Sequence, residues 1–544
     1  MTSLTLGNSV ITIGSRAFNN CEKLSGQLII PNSVIIIKSR AFYQCKNLDS
    51  LILGNSTAII EEYAFYYTKF SGKLIIPASV KSIYESSFYN AKFDEIIYEG
   101  EVEPNPCPSD EFRYINVVQV PESYKSSSFC GRDVSNPGNE TDIINYPEPK
   151  CQLNVEIPPG TKVIREEAYI YCDNMKNLTL PDSLEEIQAR AFYNCKYLVG
   201  PLTIPKNVKK IGDEAFARCI SLTEIKIIDS PLSIGNGTFC ECEKLKTVEF
   251  GKNVYEIGPY AFCKCKVLSG SLVIPSPIRN IEDYSFFECA GLTSLVLHSS
   301  IINIGNYSFK GCYSLSGEIV IDNWVTSIGD SAFYLCRGLT TLTVKGRNVE
   351  RIGENAFRSC SFEGSLYIPE SAKYIGNAAF AENSFEGEIS FPLKITHIPE
   401  KLFYENNGDF RFVFHNYIKS IGDHAFHGAG SYFQLRIPNS VEYIGKYAFF
   451  DCSFKSTLTI PESVITIDDH AFDKCTNIQN LILNNNLKHI GDYAFNNLYQ
   501  LTGNTTIPET VEYFGEGAFY KCINLNGVVK IPDSLTNISE YALY

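Results

Sequence analysis

The sequence predicts a repeat solenoid: a right-handed coil of about 23 turns, with short parallel β-strands joined by 3₁₀ or helical corners. Three observations carry this. A buried-type aromatic recurs at a fixed period, an Ile stands five residues before nearly every one of them, and each unit holds a short alternating apolar motif. The aromatic series runs Phe18, Phe42, Phe65, Phe88, then Tyr169, Phe192 and onward to Phe519 and Leu543, in steps of 23 or 24 within each block. Of these 21 anchors only one lacks the preceding Ile, and there Phe514 replaces it. Chance does not hold such a register.

Each unit reads approximately L-x-I-P-x-S-V-x-x-I-G-x-x-A-F-x-x-C-x-x-L-x-G. The L-x-I-P piece, as in Leu74-Ile75-Ile76-Pro77, alternates with period two and is rich in β-branched residues, which makes it a short strand. Proline at its end lacks an N–H donor and stops the pairing. The I-G pair, as in Ile211-Gly212, begins a corner. Glycine suggests a positive φ there, but Pro399 holds the same register, so positive φ is not required in every coil. The A-F-x-x-C segment sets Phe and Cys at i and i+3, on one face of a helical or 3₁₀ turn, and that face must be the core. A single unit cannot bury these residues, whereas stacked units can.

The register decays between Phe88 and Tyr169. Residues 1–88 and 152–544 read as regular repeats, and 89–151 as degenerate repeats with a Pro/Gly-rich loop. The chain opens already inside a repeat and closes in mid-coil, without polar caps, which suggests a piece of a longer solenoid; self-capping end coils are the alternative. It shows no secretory signal and no apolar run long enough to span a bilayer. Lys and Arg number 47 against 61 Asp and Glu, a net charge of −14, which repels nucleic acid.

These units resemble the 23-residue leucine-rich repeat of the BspA-like surface antigens, the treponemal type. The resemblance covers about residues 1–88 and 152–544 and implies a leucine-rich-repeat fold. It also implies a cell-surface or secreted protein without catalytic activity, engaged in protein-protein interaction or adhesion, with a protein or glycan ligand such as host extracellular matrix. An intracellular interaction scaffold is the alternative.

Fourteen of the 19 cysteines stand three residues after an anchor, from Cys21 to Cys522, and are expected to form an inward packing ladder of free thiols. Parallel neighbours do not offer disulfide geometry. The other five are Cys107, Cys130, Cys151, Cys240 and Cys263. Cys107 and Cys130 lie one coil apart in the irregular stretch, where a disulfide is expected in an oxidising location. Cys240 and Cys263 form a bridge or remain free, with metal disfavoured, and Cys151 is left over.

No catalytic, metal or cofactor motif appears, so no cofactor is expected. His424 and His427 flank Phe426 and are expected on a solvated corner. The middle residue of each L-x-I strand points away from the core. Read down the stack, this row includes two aliphatic trios, Ile29/Ile52/Ile75 and Val273/Val296/Val320, and later Tyr367. Exposed apolar strips of this kind mark interaction sites, although β-branched residues also simply suit an exposed sheet. Tyr260, Tyr284, Tyr307, Tyr447 and Tyr493, two before their anchors, form a second outward row. Seven N-x-[ST] sequons, at Asn55, Asn139, Asn177, Asn236, Asn306, Asn504 and Asn537, permit a glycosylated surface protein without indicating one.

Overall fold

The computed structural model describes residues 3–108, 112, 117–121, 123, 124, 126, 128–130, 132–134, 151–430, 434–533, 535 and 538–543. The chain divides into two compact units, Met1–Tyr146 and Pro147–Tyr544. Each is a stack of coils around its own continuous apolar core.

In both units the longest ladder is built from the residues that the sequence assigns to a corner. Two-residue strands ending at the Ile five before the anchor pair in parallel, Thr12–Ile13 with Ile36–Ile37 and so on. They form runs of four strands in the first unit and of five, five and six in the second. The L-x-I strands also pair in parallel but break into groups of two or three. Glycine after the Ile is needed for space rather than for positive φ. A Cβ on Gly212 would stand 2.5 Å from the backbone nitrogen of Ala189 in the preceding coil.

The A-F-x-x-C segment is where the expectation of 3₁₀ or helical corners fails, since the described residues hold no helix. The coil around Phe262 shows why. The N–H groups of Ala261, Cys263 and Cys265 donate three residues back, to Gly258, Tyr260 and Phe262. The alternate N–H groups of Tyr260, Phe262 and Lys264 instead donate to Asp283, Ser285 and Phe287 of the next coil, at 3.0, 2.8 and 2.6 Å. A 3₁₀-helix would spend every N–H within the segment. Here half of them stitch coils together, and the chain manages this by placing the residues two before and two after the anchor in the left-handed region, at φ 57° for both Tyr260 and Lys264. That conformation is uncommon outside glycine, and the intercoil bonds offset its cost.

The geometry puts every anchor ring above the last. In the second unit an unbroken stack runs from Tyr169 through Phe519, with neighbouring centroids such as Phe192–Phe216 at 4.9 Å and Phe286–Phe309 at 5.5 Å. The first unit stacks Phe18, Phe42, Phe65 and Phe88 and continues to Phe112, 5.3 Å from Phe88. Phe112 is thus a further anchor, 24 residues after Phe88. It lies in the stretch 89–151, where the motif is too degraded to be read. Five residues before it, Cys107 takes the register that Ile holds in all the regular coils but the one with Phe514.

Candidate binding surface

The outward row of the L-x-I strands is built as the alternation requires. Ile29 and Ile52 are directly in register, 54% and 46% exposed, and Ile75 is 47% exposed. Ile75 pairs in register with the half-buried Ile97, which extends the aliphatic row by one coil into the irregular stretch and is not evident from the repeat pattern. In the second unit Val273 and Val296 are paired in register and 57% and 49% exposed. Val320 is only half-buried beside them and starts a separate strand pair with Thr343. Tyr367 is exposed just beyond the strand Glu363–Ser365. Within the second unit the row ahead of Val273 is polar, with Glu156, Thr179, Thr203, and Lys226 paired with Glu249 at 3.2 Å, and single exposed aliphatics, Val413 and Ile482, recur later. The apolar residues are therefore local patches on a polar face.

The row of residues two before the anchors is ordered by ring stacking. Tyr260, Tyr284 and Tyr307 lie 4.6 and 4.7 Å apart and nearly parallel. His424, Tyr447, His470 and Tyr493 continue the motif in later coils. His424 and His427, expected on a solvated corner, are instead half-buried between aromatic rings.

The cysteine ladder shows a polar role that its spacing alone does not. Twelve of its thiols donate to the carbonyl oxygen of the preceding coil's anchor, for example Cys219 to Phe192 and Cys265 to Phe239, both at 3.2 Å. That carbonyl already accepts the N–H three residues on, so sulfur fills its second lone pair. Where Cys is replaced by Asn383, the amide Nδ2 does the same for Phe357 at 2.9 Å. Burial pushes the thiols up, Cys45 to about 11 and Cys312 and Cys522 to about 12, so they remain protonated and poor nucleophiles. Alkylation of the native protein with iodoacetamide is accordingly expected to spare the buried ladder and reach only the partly exposed Cys21 and Cys240. Mass spectrometry checks this, with all 15 free cysteines modified only after denaturation.

One ladder cysteine departs from that pattern. Cys172 is bonded to Cys151, with Cα atoms 5.2 Å apart. The ladder reading of Cys172 as a free thiol is thereby corrected, and Cys151 is not left over. Cys107 and Cys130 are also bonded, with a Cα separation of 5.0 Å. Cys240 and Cys263 are both free. Of the sequons, Asn55, Asn177, Asn236 and Asn504 are exposed and Asn306 is half-buried, while Asn139 and Asn537 lie outside the described residues.

Stacked parallel coils with short strands, an aromatic-thiol core and a long side-chain row define a leucine-rich-repeat solenoid, a class whose architecture implies protein-protein interaction. The repeat profile described as the BspA type leucine-rich repeat region matches in six copies over residues 1–105, 162–292, 279–409 and 419–544, and the chain belongs to that family. No curated protein matches. Among solved structures, the chain is similar to a leucine-rich repeat protein from Bacteroides ovatus at 18% identity, covering 93% of this chain and 87% of that one, with a TM-score of 0.29. It is also similar to the leucine-rich repeat protein of T. pallidum, at 28% identity over 30% of this chain and 78% of that one, with a TM-score of 0.28. A leucine-rich cell surface protein from Faecalibacterium prausnitzii matches at 24% identity over 61% and 88%, with a TM-score of 0.33. Among the described residues no helix is long and apolar enough to cross a membrane.

Proposed function

We propose that this protein is a non-catalytic binding protein of the cell surface or the secreted space, which mediates adhesion by docking a protein or glycan, such as host extracellular matrix, on its sheet face. The observation that carries the reading is the exposed aliphatic row, with Ile29 and Ile52 paired in register and Ile75 exposed in one unit, and Val273 and Val296 paired in register in the other. Full burial of such a side chain contributes about 1.5–3 kcal/mol, and about half of that remains to be gained here because each is already half covered by the fold. The two disulfides fit an oxidising location. Brief protease treatment of intact cells tests the location. The chain is expected to be cleaved before lysis while a cytoplasmic marker survives; full protection until lysis contradicts the surface reading and favours an intracellular scaffold.

A further inference from the structure

The turn around each anchor brings the side chains two residues before it and one residue after it together. Tyr63 and Tyr66 meet at 5.3 Å between ring centroids, Tyr447 and Phe450 at 5.5 Å, and His470 Nδ1 lies 2.9 Å from Asp473 Oδ2. In one coil both members of the pair are histidine. His424 and His427 face each other with their Nδ1 atoms 3.2 Å apart. The turn that holds them is closed by the N–H of His427 on the carbonyl of His424, with His424 at φ 55°. Rings fix both imidazoles: Tyr447 lies 4.8 Å from His424 and nearly parallel, and Tyr404 and Phe450 flank His427 at 4.8 and 4.6 Å. Burial among these rings lowers the pKa of both histidines, so both are neutral at pH 7, the form in which imidazole ligates metal.

Two converging nitrogens at this separation match a coordination edge. A tetrahedral ion with metal-nitrogen bonds of 2.0–2.1 Å sets its ligand atoms about 3.3 Å apart. Charged groups face the pair from its own coil, from both neighbouring coils and from the coil beyond: Glu400, Lys401 and Asp423 around His424, and Glu405, Asp451 and Lys474 around His427. Four carboxylates against two ammonium groups leave the surroundings net negative. Glu405 is held by a hydrogen bond from the Tyr404 hydroxyl and contributes to this field as a charge.

We propose that His424 and His427 bind a borderline divalent cation of the Zn²⁺ class as a two-imidazole edge through their Nδ1 atoms, with water completing the shell. In the empty pair one Nδ1–H donates to the other Nδ1. On binding, that proton moves to Nε2 of the same ring by tautomerisation through solvent, so both Nδ1 lone pairs face the ion and no net proton is released from the imidazoles.

The test is calorimetric titration of the full chain with Zn²⁺ after its accessible thiols have been blocked with N-ethylmaleimide. One ion per chain is expected. Loss of even an outer-shell partner costs about 10–100-fold in affinity, so His424→Gln or His427→Gln weakens binding at least about tenfold. His470→Gln, two coils away, leaves it unchanged. Electron paramagnetic resonance of the Cu²⁺-loaded protein reads the ligands directly: coupling to two imidazole nitrogens in the parent chain, one in either single variant, with circular dichroism verifying that the variants are folded. Absence of binding by the parent chain, an affinity unchanged in the His424→Gln/His427→Gln double variant, or an equal loss in His470→Gln overturns the proposal.

Discussion

Replacing Phe309 by Ala is expected to destabilise the second unit by about 3–5 kcal/mol, the cost of emptying a fully buried aromatic site. Phe309 is inaccessible to solvent and lies between Phe286 and Phe333, with centroids 5.5 and 5.4 Å away and planes within 10°. Removing its ring exposes a face of each neighbour to a void that the rigid backbone ladder cannot close, because its N–H and the ring's own coil are tied to Ala332 at 2.8 Å. Stability in a stack of this type is a sum of units and nearest-neighbour interfaces, so the loss is local. Hydrogen exchange measured along the chain should accelerate most in the coils around Phe286, Phe309 and Phe333 and least near Tyr169 and Phe519. Cys336→Ala, which removes one sulfur and its bond to the Phe309 carbonyl, is expected to cost only about 1–2 kcal/mol. A Phe309→Ala cost below that of Cys336→Ala contradicts the aromatic stack as the main support of the core.

The repeat was legible because its signal is redundant. Ile, Ala, Phe and Cys each hold a fixed register through the regular coils, and their spacing alone places them in the core. The form of the A-F-x-x-C turn was not legible. An i and i+3 pair on one side suits a helical turn equally well, and the alternating intercoil bonds that decide the matter depend on residues 23 positions away. Tyr, His, Arg, Glu and Asn hold most of the left-handed positions and glycine only a few, such as Gly237, Gly311, Gly428 and Gly517, so glycine does not mark them. Phe112 was hidden for a different reason. It keeps the 24-residue step, but Cys107 stands where Ile would and no A-F-x-x-C surrounds it. The Cys151–Cys172 bond was hidden because Cys172 keeps the ladder register, and nothing in its spacing separates a bonded cysteine from a packing one.

On the sheet face proposed to bind, the alternation of the strands orients the row outward, and the structure adds which members pair. Ile29 with Ile52 and Val273 with Val296 are direct register partners, while Val320 belongs to the next strand pair and is less exposed. Substituting Val273 and Val296 by Lys places two charges on the patch and removes its apolar contact. If a partner covers the exposed half of both valines, the loss of about 1.5–3 kcal/mol for the pair predicts at least about a tenfold fall in affinity, before the desolvation of the new ammonium groups is counted. The same changes should leave thermal stability nearly untouched, because both side chains already face solvent and flexible Lys stems are tolerated on an exposed strand.

The most direct measurement is therefore adhesion of the purified chain to immobilised extracellular-matrix extract, comparing the parent with Val273→Lys/Val296→Lys and with Ile29→Lys/Ile52→Lys/Ile75→Lys, each verified to melt like the parent. The sheet-face account predicts that the parent binds saturably and that at least one of the two variants binds at least about tenfold more weakly. Saturable binding that neither variant reduces would contradict it.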